Sequence, residues 1–310
     1  MKDYIDIHPD VSNALLVGTT PVIALESTII SHGMPYPQNK QTAIMLQEMA
    51  HQRGVEAATI AVINGRIKVG LSLKDLETLA TSKNVLKLSR KDIPYALTKK
   101  LHGSTTVAAT MYIANLVGIS VFATGGVGGV HRLAEETFDI SADLIEFANT
   151  PVIVVSAGAK AILDLPKTIE YLETQGVPVY GYKTNEFPSF YFNETGLKVE
   201  KLDNAKEVAE LFCIQKKMGM KCGILLANPI PGEYAIDKKV ICPIIEAALK
   251  SAASKNIKGK EVTPYLLHEI YELSEHSSLN TNIALVKNNV IVACDIAKEL
   301  KEQSSPFYQK

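Results

Sequence analysis

Residues 152–160 read Val-Ile-Val-Val-Ser-Ala-Gly-Ala-Lys. Four β-branched residues, Val152 to Val155, predict a strand buried on both faces of a sheet. Ser156, Ala157, Gly158 and Ala159 then leave almost no side chain to fill space. Lys160 comes next, ahead of Ala161, Ile162 and Leu163, which read as the start of a helix. A lysine there opposes the positive end of the helix dipole. Apolar neighbours and that dipole would both favour the neutral amine, a nucleophile able to form Schiff bases. A solvated loop lysine is the alternative.

The same alternation of buried strands and helices extends outward in both directions. Val22 to Leu25, Val121 to Ala123, Pro178 to Tyr182 and Gly223 to Ala227 are short apolar runs, separated by helical patterns. These include about Gln41 to His51, Thr106 to Leu116, Ser141 to Phe147, Ala205 to Met218, Val240 to Ser254 and Thr263 to Leu273. Asn282 to Val286 and Val290 to Glu299 predict two closing helices, broken at Asn288-Asn289. Strands alternating with helices imply a three-layer α/β/α domain over residues 1–310. Ala58 to Ile63 and Arg66 to Val69 flank Asn64-Gly65, a type I′ hairpin signal that makes the mostly parallel sheet mixed.

Composition bounds the class of function. The 310 residues are 46% hydrophobic and 21% charged with a formal net charge of −1, which gives no basic excess for nucleic acid or an anionic membrane. The N-terminus lacks a signal-peptide layout, and no run reaches the ~20 apolar residues of a membrane span. Four cysteines, scattered without C-x-x-C spacing, fit reduced core residues of a cytoplasmic protein.

Four buried strands end in unusual loops: Glu26-Ser27-Thr28, Thr124 to Arg132, Ser156 to Lys160 and Asn228 to Glu233. Ligands bind beyond the carboxyl ends of strands in open α/β sheets, so these four stretches are expected to line one cleft. Gly125 to Gly129 lacks the dinucleotide spacing and there is no Walker pattern; its paired glycines suit an anion cradle or a tight turn. Glu26, at the end of an apolar strand, suits a general acid with a raised pKa, or a cap. Asp139 offers hard oxygens for a divalent ion, while Ser141 and Asp143 suit either a ligand or a helix cap. Lys87 is a candidate phosphate contact or a solvated lysine. His131 and His32 lie in Gly-rich loops. Asn282 and Asn289 lie in polar breaks, where amides hold substrate hydroxyls or end a helix.

Taken together, residues 24–35, 124–132, 137–143, 156–160 and 227–231 resemble the pseudouridine-5′-phosphate glycosidase family, which includes the indigoidine-cluster A proteins. The resemblance runs from about Val22 to Lys298. It implies reversible cleavage of the carbon–carbon glycosidic bond of pseudouridine 5′-phosphate to uracil and ribose 5-phosphate. It also implies Lys160 as nucleophile, Glu26 as proton donor and Asp139 holding Mn2+, one ion per subunit. Lys87, the backbone at Val107, and Ser141, Ala142 and Asp143 match substrate-binding positions, and His131 and Asn282 fall in substrate-facing stretches. Homotrimers are implied. Ser274 to Leu279 departs from relatives, which usually carry glycines there, so that loop's conformation is open. A C-glycoside has no leaving oxygen, so the two-carboxylate scheme of ordinary glycosidases fails and an imine to Lys160 is the expected alternative. A Schiff-base lyase or aldolase on another sugar phosphate, a non-catalytic binding or assembly protein, and a sugar kinase are the competing readings.

Overall fold

The computed structural model describes residues 2–303. Its centre is one eleven-stranded sheet. In chain order the strands are β1 (Ile5–Ile7), β2 (Val22–Leu25), β3 (Glu56–Ile63), β4 (Arg66–Val69), β5 (Leu86–Leu88), β6 (Gly103–Thr105), β7 (Val121–Ala123), β8 (Ile153–Ser156), β9 (Val179–Tyr182), β10 (Glu200–Leu202) and β11 (Ile224–Ala227). The main path runs β1-β4-β3-β2-β7-β8-β11-β9-β10, with β6 joining β3 to β5 off that path. Among these pairings β3–β4 and β3–β6 are antiparallel and the others parallel. The hairpin follows from its turn: Asn64 and Gly65 adopt φ of 49° and 71°, as a type I′ turn requires.

β8 sits between β7 and β11, with Phe122 beside Val154 and Val155 beside Leu226. All four of its residues are buried, which explains why the strand is continuously apolar rather than alternating. The helix Val107–Leu116 packs on β2, β3 and β7 and against the helix Ala142–Asn149. A separate set, built on the helix Ser277–Gln303, packs on β2, β7 and β8 and against Gln38–Gln52 and Ala205–Lys217. Helices thus cover the mixed, mostly parallel sheet as a three-layer α/β/α arrangement.

Two expectations are corrected. Lys160 does not open a helix: Ala161, Ile162 and Leu163 are buried in a turn, and the helix starts at Leu165, capped by the Asp164 side chain on the Lys167 N–H at 3.1 Å. A macrodipole acts within the first turn, so it gives no reason for a lysine here. The chain also closes with one helix, Ser277–Gln303, not two. Asn288 and Asn289 lie inside it, and Asn289 is fully buried with its amide on the Thr124 carbonyl just past β7, so neither it nor Asn282 marks a break. β1, β6 and β10, three residues each, are not predicted because they carry no pattern long enough to read.

The loop that departs from its relatives keeps a glycine-like backbone. Glu275 and His276 have φ of 49° and 68°, and the His276 ring stacks on Tyr271 with centroids 4.3 Å apart. No helix of the described residues is long and apolar enough to cross a membrane.

Candidate active site

β2, β7 and β8 are adjacent and parallel, so their carboxyl ends deliver Glu26, the glycine loop and the lysine loop side by side. The last two pair beyond the sheet. Val127 donates to the Gly158 carbonyl and Lys160 to the Val127 carbonyl, both at 3.1 Å, while the Ala157 N–H reaches the Gly125 carbonyl at 2.8 Å. Gly158 makes this possible: its φ is +73°, and a Cβ there would lie 2.1 Å from the Pro188 carbonyl oxygen. The pairing aims Lys160 back across the loop, where Nζ donates to the Gly126 carbonyl at 2.7 Å.

The Glu26 carboxylate accepts the hydroxyls of Thr28 and Thr124. Burial pushes its pKa up, and the Asp143 charge adds to that; Lys160 and the two hydroxyls oppose it. The net direction favours a protonated carboxyl, ready to give a proton away.

Two cavities meet at this pair. The polar one is lined by Val107, His131, Asp139, Ser141, Ala142 and Asp143. The other, smaller one carries Phe190, Leu267, His32 and Asn282. Glu26, Lys87 and Lys160 line both. Every residue singled out from the sequence as a site candidate, Asn289 excepted, therefore lines one cavity or the other. The fourth loop does not: Asn228 donates to Asn289 Oδ1 at 2.9 Å behind the glycine loop, and Asn289 donates to the Thr124 carbonyl at 2.7 Å.

The electrostatics divide the polar cavity. Burial and the Lys160 charge push the Lys87 pKa down, with Asp143 and Glu26 opposing. Burial also lowers His131, while Asp139 pulls it the other way. His131 and Asp139 are held together by the His131 N–H on the Asp139 carbonyl at 3.0 Å. The excursion between them closes through Leu133 and Phe138, at φ of 60° and 52°.

Ser141 caps the helix Ala142–Asn149, accepting the Asp143 N–H at 3.3 Å. Asp143 spends both carboxylate oxygens on the protein. Oδ1 accepts the Ala108 N–H at 2.8 Å and Oδ2 the Gly128 N–H at 2.9 Å. The anion that Gly128 cradles is thus this carboxylate. A Cβ at Gly128 would fall 2.3 Å from Ser141 Oγ, so glycine is needed for the approach.

Asp139 is the hard donor available to a divalent ion. Among the described residues no group of three or more His, Cys, Asp or Glu side chains forms a metal cage. Mg2+-like ions keep much of their water and take one or two carboxylates plus substrate oxygens. The residues present fit an ion bound that way, with Asp139 as its protein carboxylate.

The roles of several residues of the site escaped the sequence. Thr28 and Thr124 orient Glu26, and Phe190 and Leu267 wall the smaller cavity. A hydroxyl two residues after the acid was the available signal for Thr28. Nothing in the sequence brings the helix Val262–Leu273 over the cleft.

The family model described as "Indigoidine synthase A like protein" matches residues 10–299. A pseudouridine-5′-phosphate glycosidase of Caldanaerobacter subterraneus subsp. tengcongensis is 55% identical over 303 residues, covering 97% of this chain and 98% of that protein. One from Clostridium botulinum is 53% identical over 304 residues, covering 97% and 99%. Among solved structures, an indigoidine synthase A-like protein of Thermotoga maritima superposes with a TM-score of 0.87 at 32% identity, covering 96% of each chain. The prealnumycin C-glycosynthase AlnA, solved with ribulose 5-phosphate, gives 0.88 at 35% identity over 96% of this chain and 97% of that one.

Proposed function

We propose, given that the chain belongs to the indigoidine synthase A-like protein family, that it is a pseudouridine-5′-phosphate glycosidase. It cleaves the carbon–carbon bond between C1′ of the ribose and C5 of uracil, reversibly. The observation that carries this reading is the placement of Lys160 and Glu26 on the shared wall of the two cavities. The smaller, more apolar cavity suits a flat base against Phe190, and the polar one suits a phosphorylated sugar beside Lys87 and Val107.

The chemistry then runs through this chain's own side chains. The C1′–O4′ bond breaks as O4′ takes a proton from Glu26, and the Lys160 amine bonds to C1′ as it passes a proton back to the Glu26 carboxylate. The C1′–C5 bond breaks as the nitrogen lone pair forms C1′=N, and C5 of uracil takes a proton. Water hydrolyses the imine, giving ribose 5-phosphate and the free amine. Glu26, held toward its protonated form, passes protons to and from sugar and base. The Gly126 carbonyl holds the lysine nitrogen in the cleft between turnovers. The phosphate, remote from the broken bond, supplies binding energy that positions C1′.

Asp139 would hold Mn2+, one ion per subunit, and the ion would supply positive charge to orient water and developing oxyanions. A homotrimer is carried by the sequence resemblance. A cytoplasmic location is supported by four cysteines that all remain free thiols. A second reading, in which the chain forms such a bond, is favoured by the likeness to a protein named a C-glycosynthase. Release of free uracil from pseudouridine 5′-phosphate with added Mn2+ tests the main reading. No uracil, with the substrate bound, would contradict it.

A further inference from the structure

The helices Lys238–Ser254 and Val262–Leu273 pack as a hairpin whose connecting segment reaches the mouth of the polar cavity. Lys260, in the single 3-10 turn Gly259–Glu261 of that connection, lines the cavity. Its Nζ donates to Asp92 Oδ2 at 2.7 Å, and the same oxygen accepts the Ser89 N–H at 2.9 Å. The hairpin is thereby tied to the turn that follows β5.

That turn has an unspent group. Ser89 lines the same cavity, and its hydroxyl oxygen is buried without a hydrogen-bond partner. A buried hydroxyl left unpaired is costly unless something meets it there. Lys87 and Lys91 stand on the same wall, as does Val107, the first residue of the ten-residue helix Val107–Leu116. Cations and a free hydroxyl make an environment suited to a phosphate. The Lys260–Asp92 pair is easily given up, because the lysine side chain is 51% exposed and such pairs are weak.

We propose that Lys260 is a phosphate-binding residue carried on the hairpin, which trades Asp92 for the 5′-phosphate of the bound sugar beside the Ser89 hydroxyl. This rests on the reading of the substrate as a phosphorylated ribose. A nucleoside without the phosphate then leaves Lys260 on Asp92.

Calorimetric titration of the full chain with ribose 5-phosphate tests this. K260A is expected to weaken binding about tenfold or more, with K260R recovering most of it. D92N frees Lys260 and is expected to bind ribose 5-phosphate as tightly as the parent or tighter. Affinity within twofold of the parent in K260A would overturn the proposal, and so would an equal loss in D92N, which marks a merely structural tie. A chain that loses ribose 5-phosphate affinity in K260A but releases no uracil keeps this site and contradicts the reaction. One that releases uracil with K260A binding normally contradicts this site alone.

Discussion

Lys160 Nζ donates to the Gly126 carbonyl at 2.7 Å, so the amine rests on the loop that follows the strand between its own and that of Glu26. Substrate must displace this contact or share it. The glycine loop is therefore part of how the lysine is aimed, and the predictions below follow from how that loop and its neighbours are held.

Glu26 has a pKa raised by burial. A carboxyl that prefers its proton when folded lends stability below the ordinary carboxylate range, and that stability is lost as pH rises through the raised value. Glu26→Gln should remove this pH dependence. It should also lower kcat by a factor of about 100 or more, the usual scale for a general acid, with a smaller change in binding. Urea melts across pH and a steady-state profile check both halves; an unchanged kcat would contradict the acid role.

Asp143 braces the backbone rather than offering a free oxygen. Hydrogen bonds to a charged group contribute about 1.5–3 kcal/mol each, and it makes two, to Ala108 and Gly128. Asp143→Ala should therefore destabilise the fold on the order of 3 kcal/mol. Asp143→Asn should recover only part, since one amide group would face an N–H donor. Equilibrium denaturation separates this from a substrate ligand, whose loss would leave stability unchanged.

Asn289 is fully buried and ties Asn228 to the Thr124 carbonyl. Asn289→Ala leaves those groups unpaired, at a cost of about 1–3 kcal/mol. Because Thr124 also donates to Glu26, the alkaline limb of the rate profile should move as well. A stability loss with an unmoved profile would confine Asn289 to the fold.

Asp139 is the one carboxylate proposed for the ion. Chelation should depress uracil release and Mn2+ should restore it. Asp139→Ala should shift the Mn2+ titration to concentrations at least tenfold higher, a scale matching loss of a ligand group. An unshifted titration would assign the metal to other donors.

How much was legible follows from where each signal lives. Asn64-Gly65 is local chemistry, and the hairpin appears as read. The ends of β2, β7 and β8 were readable because an apolar strand that stops at a polar or glycine residue is a local event. What failed depends on tertiary contact. Ala161 to Leu163 are apolar because they are buried, not because they are helical, and the true start lay in Asp164 with Pro166 just inside. Asn288 and Asn289 looked like a break because their amides serve Pro229 and Thr124 across the structure. The covering hairpin was visible as two helices, but its place over the cleft is set by contacts distant in sequence.

The central claim is covalent: a bond between Lys160 and the sugar's C1′. Borohydride reduction in the presence of ribose 5-phosphate, followed by peptide mass analysis, tests it most directly. The account predicts one reduced sugar-phosphate adduct on Lys160, absent from Lys160→Ala. An adduct on another lysine, or none while the untreated enzyme turns over, would contradict it.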